Sequence, residues 1–156
     1  MKCETVRDFM SSPVHTLSPD QTLAEASSLF FEKEVTGAPV VSSGEVVGIL
    51  SDSDIVRSLT AHREELEGYK PSFLPFFIGW KGKLVDVDLE DLKKEMGSKT
   101  VQEAMSRKVH LIRPDDSIDT AIDLMRDKDV NRLPVVEGGK LVGIVTRDDI
   151  IKCLSS

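Results

Sequence analysis

The stretch Gly143–Leu154, GIVTRDDIIKCL, occurs in a second form 95 residues earlier as Gly48–Leu59, GILSDSDIVRSL. Each copy has Gly-Ile, an aliphatic residue, a hydroxyl residue, two variable positions, Asp-Ile and then an apolar, helix-like run. Sliding the chain by that offset lays residues 6–61 on 101–156 without a gap, and 21 of the 56 positions are identical. Met10 falls on Met105, Val14-His15 on Val109-His110, and Pro19-Asp20 on Pro114-Asp115. Pro39-Val40-Val41 falls on Pro134-Val135-Val136. Such self-similarity marks a chain built from two copies of one unit.

Each copy reads alike. After Pro19-Asp20, apolar Leu23, Ala26, Leu29 and Phe30 recur at helical spacing, matched by Ile118, Ala121, Ile122, Leu124 and Met125. A short apolar strand follows at Pro39–Val41, with proline tolerated at its first position. Ser42-Ser43-Gly44-Glu45, matched by Glu137-Gly138-Gly139-Lys140, signals a hairpin. The next strand is Val46–Leu50, and a closing helix starts at Ser51. Counting an extended piece around Val14–Leu17, each repeat is β-α-β-β-α, in an α/β (α+β) fold. One such unit buries too little to be stable alone. The expectation is two repeats, 1–61 and 101–156, packed sheet to sheet about a pseudo-twofold axis with one shared core. A site at that junction should then occur twice.

Residues 62–100 form an insert longer than an ordinary connector. Its Phe73–Trp80 cluster is too apolar for a free linker. It either folds back over the repeats or offers a dimer surface, a partner surface or a lid. The segment DVDLEDLKKEMG then reads as a short helix stopped by Gly97.

Composition excludes several classes. The chain of 156 residues is 40% apolar and 30% charged, as expected of a soluble globular protein. No apolar run approaches the roughly 20 residues needed to cross a bilayer. The opening MKCETVRDFMSS lacks the apolar core of a secretory signal, so a cytoplasmic location is expected. A net charge of −7 and 5% aromatics disfavour nucleic acid and anionic lipid as partners. Cys3 and Cys153 lie near opposite ends without CxxC spacing, which argues against a disulfide framework or a zinc site. Asp86–Glu90 begins like a calcium loop but lacks its later Gly and Glu. Neither a Gly-rich phosphate loop nor a nucleophile–base spacing is present, so no enzyme, metal or required cofactor is expected.

The repeated phrase has a local meaning first. Ser51 with Asp54, and Thr146 with Asp149, form capping boxes at helix starts. Strand ends meeting helix N-termini are also where ligand clefts form in α/β proteins. A hydroxyl and a carboxylate three residues apart suit a ribose, and Ile49 or Ile144 could lie against a flat base.

The ordered set of GAPVV/RLPVV, GIL/GIV and the S/T-x-x-D helix starts, found twice, resembles the CBS domain. The chain looks like a stand-alone, archaeal-like tandem CBS pair (a Bateman module). The resemblance covers 6–61 and 101–156 and leaves out the insert. It implies a regulatory sensor of an adenosine ligand: AMP, ADP, ATP or S-adenosylmethionine. One cleft would use Asp149 and Thr146 on the ribose with Ile144 and Arg132, completed by Val14, His15, Val35 and Thr36. The related cleft would use Asp54, Ser51 and Ile49, completed by Val109, His110, Val130 and Asn131. Arg132 stands at the phosphate position, where its counterpart is Gly37; Lys108 would have to compensate in the second cleft. The Asp149–Arg132 cleft is therefore expected to favour a phosphorylated ligand. The resemblance also implies a homodimer acting on a protein target that the sequence does not name. The alternative is a ligand-free homodimeric interaction scaffold.

Overall fold

Local chemistry sets the element boundaries in the computed structural model, which describes residues 2–59 and 89–156. The first repeat contains α1 (Val6–Phe9), α2 (Leu23–Lys33), β1 (Gly37–Ser42), β2 (Glu45–Ser51) and α3 (Asp52–Ser58). Then come α4 (Leu89–Ser98), α5 (Val101–Ala104), α6 (Ile118–Lys128), β3 (Arg132–Glu137), β4 (Lys140–Thr146) and α7 (Arg147–Ser155). The expectations for Phe73–Trp80 and for Asp86–Asp88 fall outside the described residues.

The long helices start where a hydroxyl can accept an otherwise unpartnered backbone N–H. The Thr22 side chain accepts from the Glu25 amide at 3.1 Å, and that of Ser117 accepts from the Thr120 amide at 3.2 Å. Both end in a left-handed residue, Glu34 (φ 53°) and Asp129 (φ 51°). Each hairpin turns through two residues of positive φ: Ser43 (51°) and Gly44 (80°), then Gly138 (57°) and Gly139 (78°). That is the turn geometry matching the twist of a tight antiparallel pair. β1 pairs with β2 and β3 with β4, each with a bulge at the equivalent place, Val40/Val41 and Val135/Val136.

Pro39 and Pro134 are not at the strand starts, as expected from sequence, but at the third position of β1 and β3. Each pairs with an isoleucine, Ile49 or Ile144, whose own N–H and C=O bond outward to another segment. No ladder donor is needed from the proline there, so it is tolerated inside the strand.

That other segment explains why the repeated phrase begins with glycine. Ser11 exchanges both backbone bonds with Ile144 (2.9 and 3.1 Å), and Ser106 exchanges both with Ile49 (2.8 and 2.9 Å). The stretch leading into each repeat therefore lies against the sheet of the other repeat. A Cβ at Gly143 would stand 2.6 Å from the Met10 sulfur, and one at Gly48 would stand 2.5 Å from the Met105 sulfur. Glycine in one copy makes room for methionine in the other. The chain then returns to its own repeat through bridges Leu17–Val40 and Ile112–Val135. The extended piece expected at Val14–Leu17 is thus a single bridge rather than a strand, and it is preceded by the one-turn helices α1 and α5.

The exchange also divides the core. One buried cluster joins Val6 and Phe9 of α1 to Ala121, Met125, Leu133, Val135, Val145 and Ile150 of the second repeat. The other joins Val101 of α5 to Leu17, Leu23, Ala26, Phe30, Val40 and Leu50 of the first. Two interlocked cores replace the single shared core expected, while β2 and β4 still touch between them. Burying one such apolar side chain stabilises by about 1.5–3 kcal/mol, so each leading segment anchors the opposite repeat.

Two local expectations are corrected. Gly97 lies inside the last turn of α4 rather than beyond it, and the helix ends at Ser98. Its φ is not positive, so it does not act as a left-handed stop. Met96 of α4 packs against the first repeat's cluster. The cysteines, whose spacing argues against a disulfide framework, nevertheless form a disulfide with Cα atoms 6.0 Å apart. α1 and α7 are packed against each other, which brings the chain's two ends together across 150 positions.

Candidate functional site

Each strand–helix junction carries its capping box. At the β4–α7 junction, Asp149 Oδ2 accepts from the Thr146 amide at 2.8 Å and from the Thr146 hydroxyl at 2.9 Å. The Thr146 oxygen accepts from the Asp149 amide at 3.3 Å. At the β2–α3 junction, Asp54 Oδ2 accepts from the Ser51 amide and hydroxyl, both at 2.9 Å, and the Ser51 oxygen accepts from the Asp54 amide at 3.2 Å. The two boxes are near copies.

Their remaining oxygens are not. Asp54 Oδ1 is ion-paired with Arg57 at 2.6 Å. Asp149 Oδ1 meets only the Ser11 hydroxyl, at 3.5 Å, among the described residues. One carboxylate has spent its acceptors within its own helix; the other presents an oxygen outward.

Exchange of the leading segments assembles the surroundings. Ser11 is held on Ile144, so Ser12–His15 continue past the Asp149 junction. A cavity of about 780 Å³ opens there, lined from both repeats. Asp149, Thr146, Ile144, Arg132, Val14, His15, Val35 and Thr36 all face it. Of the second expected set, Ser51 and Asn131 line this same cavity. Asp54, Ile49, Lys108, Val109, His110 and Val130 do not line it. The eight residues of the first set therefore meet at one cavity.

Arg132 crosses between the repeats. Its guanidinium donates to the Thr36 hydroxyl and lies against Gly37, on the first repeat's strand. Burial pushes it below the ordinary arginine value, while the Asp52 and Asp54 carboxylates act in the opposite direction. Arginine remains charged regardless. Among the described residues no carboxylate comes within ion-pairing distance of it. A half-buried cation without a paired anion, beside a cavity, favours an anionic ligand.

Sequence reasoning missed Ser11, Lys33, Arg147 and Lys152, all of which line the cavity. Lys152 lies three residues after Asp149, one helical turn along the same face, so its spacing was a usable signal. Ser11 carried none, because its place depends on crossing to the other repeat.

The CBS-domain model matches residues 6–61 and 101–156. An uncharacterized protein of Methanocaldococcus jannaschii is 39% identical, over 96% of this chain and 90% of its own length. The crystal structure of the CBS domain of a CBS domain-containing membrane protein from Sphaerobacter thermophilus is similar at TM-score 0.71 and 31% identity, covering 96% of this chain and 87% of that one. The structure of CBSX2 from Arabidopsis thaliana in complex with AMP is similar at TM-score 0.67 and 28% identity, covering 97% and 96%. No described helix is long and apolar enough to cross a membrane.

Proposed function

Since the chain belongs to the CBS-domain family as a tandem pair, we propose that it is a regulatory module binding an adenosine-containing ligand in the Asp149–Arg132 cleft. The observation that carries this reading is an outward carboxylate oxygen, on Asp149, and a guanidinium, on Arg132, with no carboxylate partner among the described residues, across one cavity. Asp149 Oδ1 accepts from the ribose hydroxyls. Ile144 and Val14 hold the base, and Arg132 receives the phosphate. AMP, ADP and ATP fit this division of labour; S-adenosylmethionine would use the ribose and base contacts without the phosphate contact. The AMP complex of the similar CBSX2 supports the ligand class.

Such a ligand touches both repeats at once. Binding therefore favours whichever relative arrangement of the repeats it fits better, and the difference in affinity is the regulatory signal. The output is proposed to pass through a cytoplasmic homodimer to a protein target. Ile151 and Leu154 on α7 are exposed beside an apolar groove lined by Ile122, Met125 and Ile150, a face suited to self-association.

Thermal unfolding with adenosine, AMP, ATP and S-adenosylmethionine tests the reading. A ligand at 100 times its Kd should add about 2.7 kcal/mol to stability. Absence of a shift with all four would leave the ligand-free scaffold as the better account.

A further inference from the structure

We infer that Gly37 is a positioning residue for Arg132: the missing side chain on β1 is the seat in which the guanidinium of the other repeat rests. A Cβ built at Gly37 would lie 2.6 Å from both Cζ and Nε of Arg132. The guanidinium is the far end of a flexible side chain, so a residue other than glycine displaces it. Gly37 is itself buried, with φ outside the left-handed region, so its backbone conformation does not demand glycine. The space a side chain would need is taken by the arginine and by the Leu50 carbonyl oxygen, 2.9 Å from the built Cβ.

The pairing registers show why this arrangement is asymmetric. Gly37 pairs with Ser51 at the mouth of the first repeat, and Arg132 pairs with Thr146 at the mouth of the second. These are equivalent positions. One copy carries the cation and the other carries the space for it. Thr36, next to that space, accepts the guanidinium's hydrogen bond and keeps it turned toward the cavity. Position 37 thus sets selectivity for phosphorylated over unphosphorylated ligands, acting through Arg132. This consequence for selectivity rests on the adenosine reading above; the seat itself does not.

A double-mutant cycle of Gly37→Ala and Arg132→Ala tests the inference, with Kd for AMP and for adenosine measured by calorimetry. Gly37→Ala should weaken AMP by about tenfold or more, the equivalent of one charge-assisted hydrogen bond, and leave adenosine within about twofold. In the Arg132→Ala background it should change AMP affinity by less than about twofold. The alanine Cβ also comes 2.9 Å from the Leu50 carbonyl oxygen, a strain that single and double variants share and the cycle cancels. Thr36→Val removes the hydroxyl that accepts from Arg132 without crowding the strand, and its effect on AMP affinity should likewise vanish in the Arg132→Ala background. An equal loss of AMP affinity with and without Arg132 would overturn the inference. A readout without ligand separates it from the adenosine reading: the Arg132 Nε–Hε NMR cross-peak, identified by its loss in Arg132→Ala. The peak should move in ligand-free Gly37→Ala. If it stays in place, the seat is refuted; if it moves but the wild type binds neither ligand, the seat stands and the adenosine reading falls.

Discussion

Asp149→Ala beside Asp54→Ala separates helix capping from ligand binding. Both substitutions remove the carboxylate of a capping box with near-identical geometry, so each should lower stability by a similar amount, roughly 0.5–2 kcal/mol. Binding should respond unequally. In both residues Oδ2 is committed to the cap, at 2.8–2.9 Å. Among the described residues Asp149 Oδ1 has only a hydroxyl at 3.5 Å beside it, whereas Asp54 Oδ1 would have to leave Arg57 at 2.6 Å. A hydrogen bond to a charged group contributes about 1.5–3 kcal/mol, so Asp149→Ala should weaken AMP by roughly 10- to 150-fold. Asp54→Ala should change it by less than about threefold, within the range of indirect effects. The assay is calorimetric titration on protein whose circular dichroism confirms folding, with Asp149→Asn as a control that keeps a capping acceptor. If Asp54→Ala weakens AMP as much as Asp149→Ala does, the reasoning from the free oxygen is wrong.

Three further outcomes follow from the fold. Gly143→Ala drives a Cβ into the Met10 sulfur at 2.6 Å and toward the Ser11 carbonyl at 3.2 Å; chemical denaturation should show a loss of about 1–3 kcal/mol, relieved in part by Met10→Ala. Cys153→Ser, or reduction, opens a loop closed across 150 positions and should lower stability by about 2–5 kcal/mol, with no effect of reductant on the variant. The Asp8 carboxyl is held below the ordinary aspartate range first by the Thr5 amide, with a further bond from the Glu4 amide. Its contribution is therefore present above the unfolded value and fades as pH falls through the lower folded value. Acid titration of stability should show a shallower fall in that window for Asp8→Asn; an unchanged slope would remove Asp8 from the account.

What was legible from sequence was local or duplicated. The hairpin at Ser43-Gly44 and the S/T-x-x-D caps depend on residues within four positions of each other, and the repeat confirmed each by its copy. The seven residues proposed around Asp149 converge because the resemblance supplied a crossing between repeats that spacing alone does not encode. What was not legible depends on that crossing. Cys3 meets Cys153 only because α1 packs on the opposite repeat. One core became two for the same reason. Pro39 was placed at a strand start because the rule concerns missing donors, and the outward bonding of Ile49 that removes the need for one comes from Ser106, 57 positions away. From sequence Arg132 reads as a phosphate ligand and Gly37 as its uncharged counterpart; that the second makes room for the first depends on two residues 95 positions apart meeting across the repeats.

The central claim is that one cleft, built by Asp149 and Arg132 across the two repeats, holds an adenosine ligand. The most direct measurement is the electron density of crystals grown with excess AMP. The account predicts AMP in the 780 Å³ cavity, with ribose hydroxyls on Asp149 Oδ1 and phosphate on Arg132. AMP bound instead at Asp54 beside His110, with the Asp149 cleft empty, would contradict it.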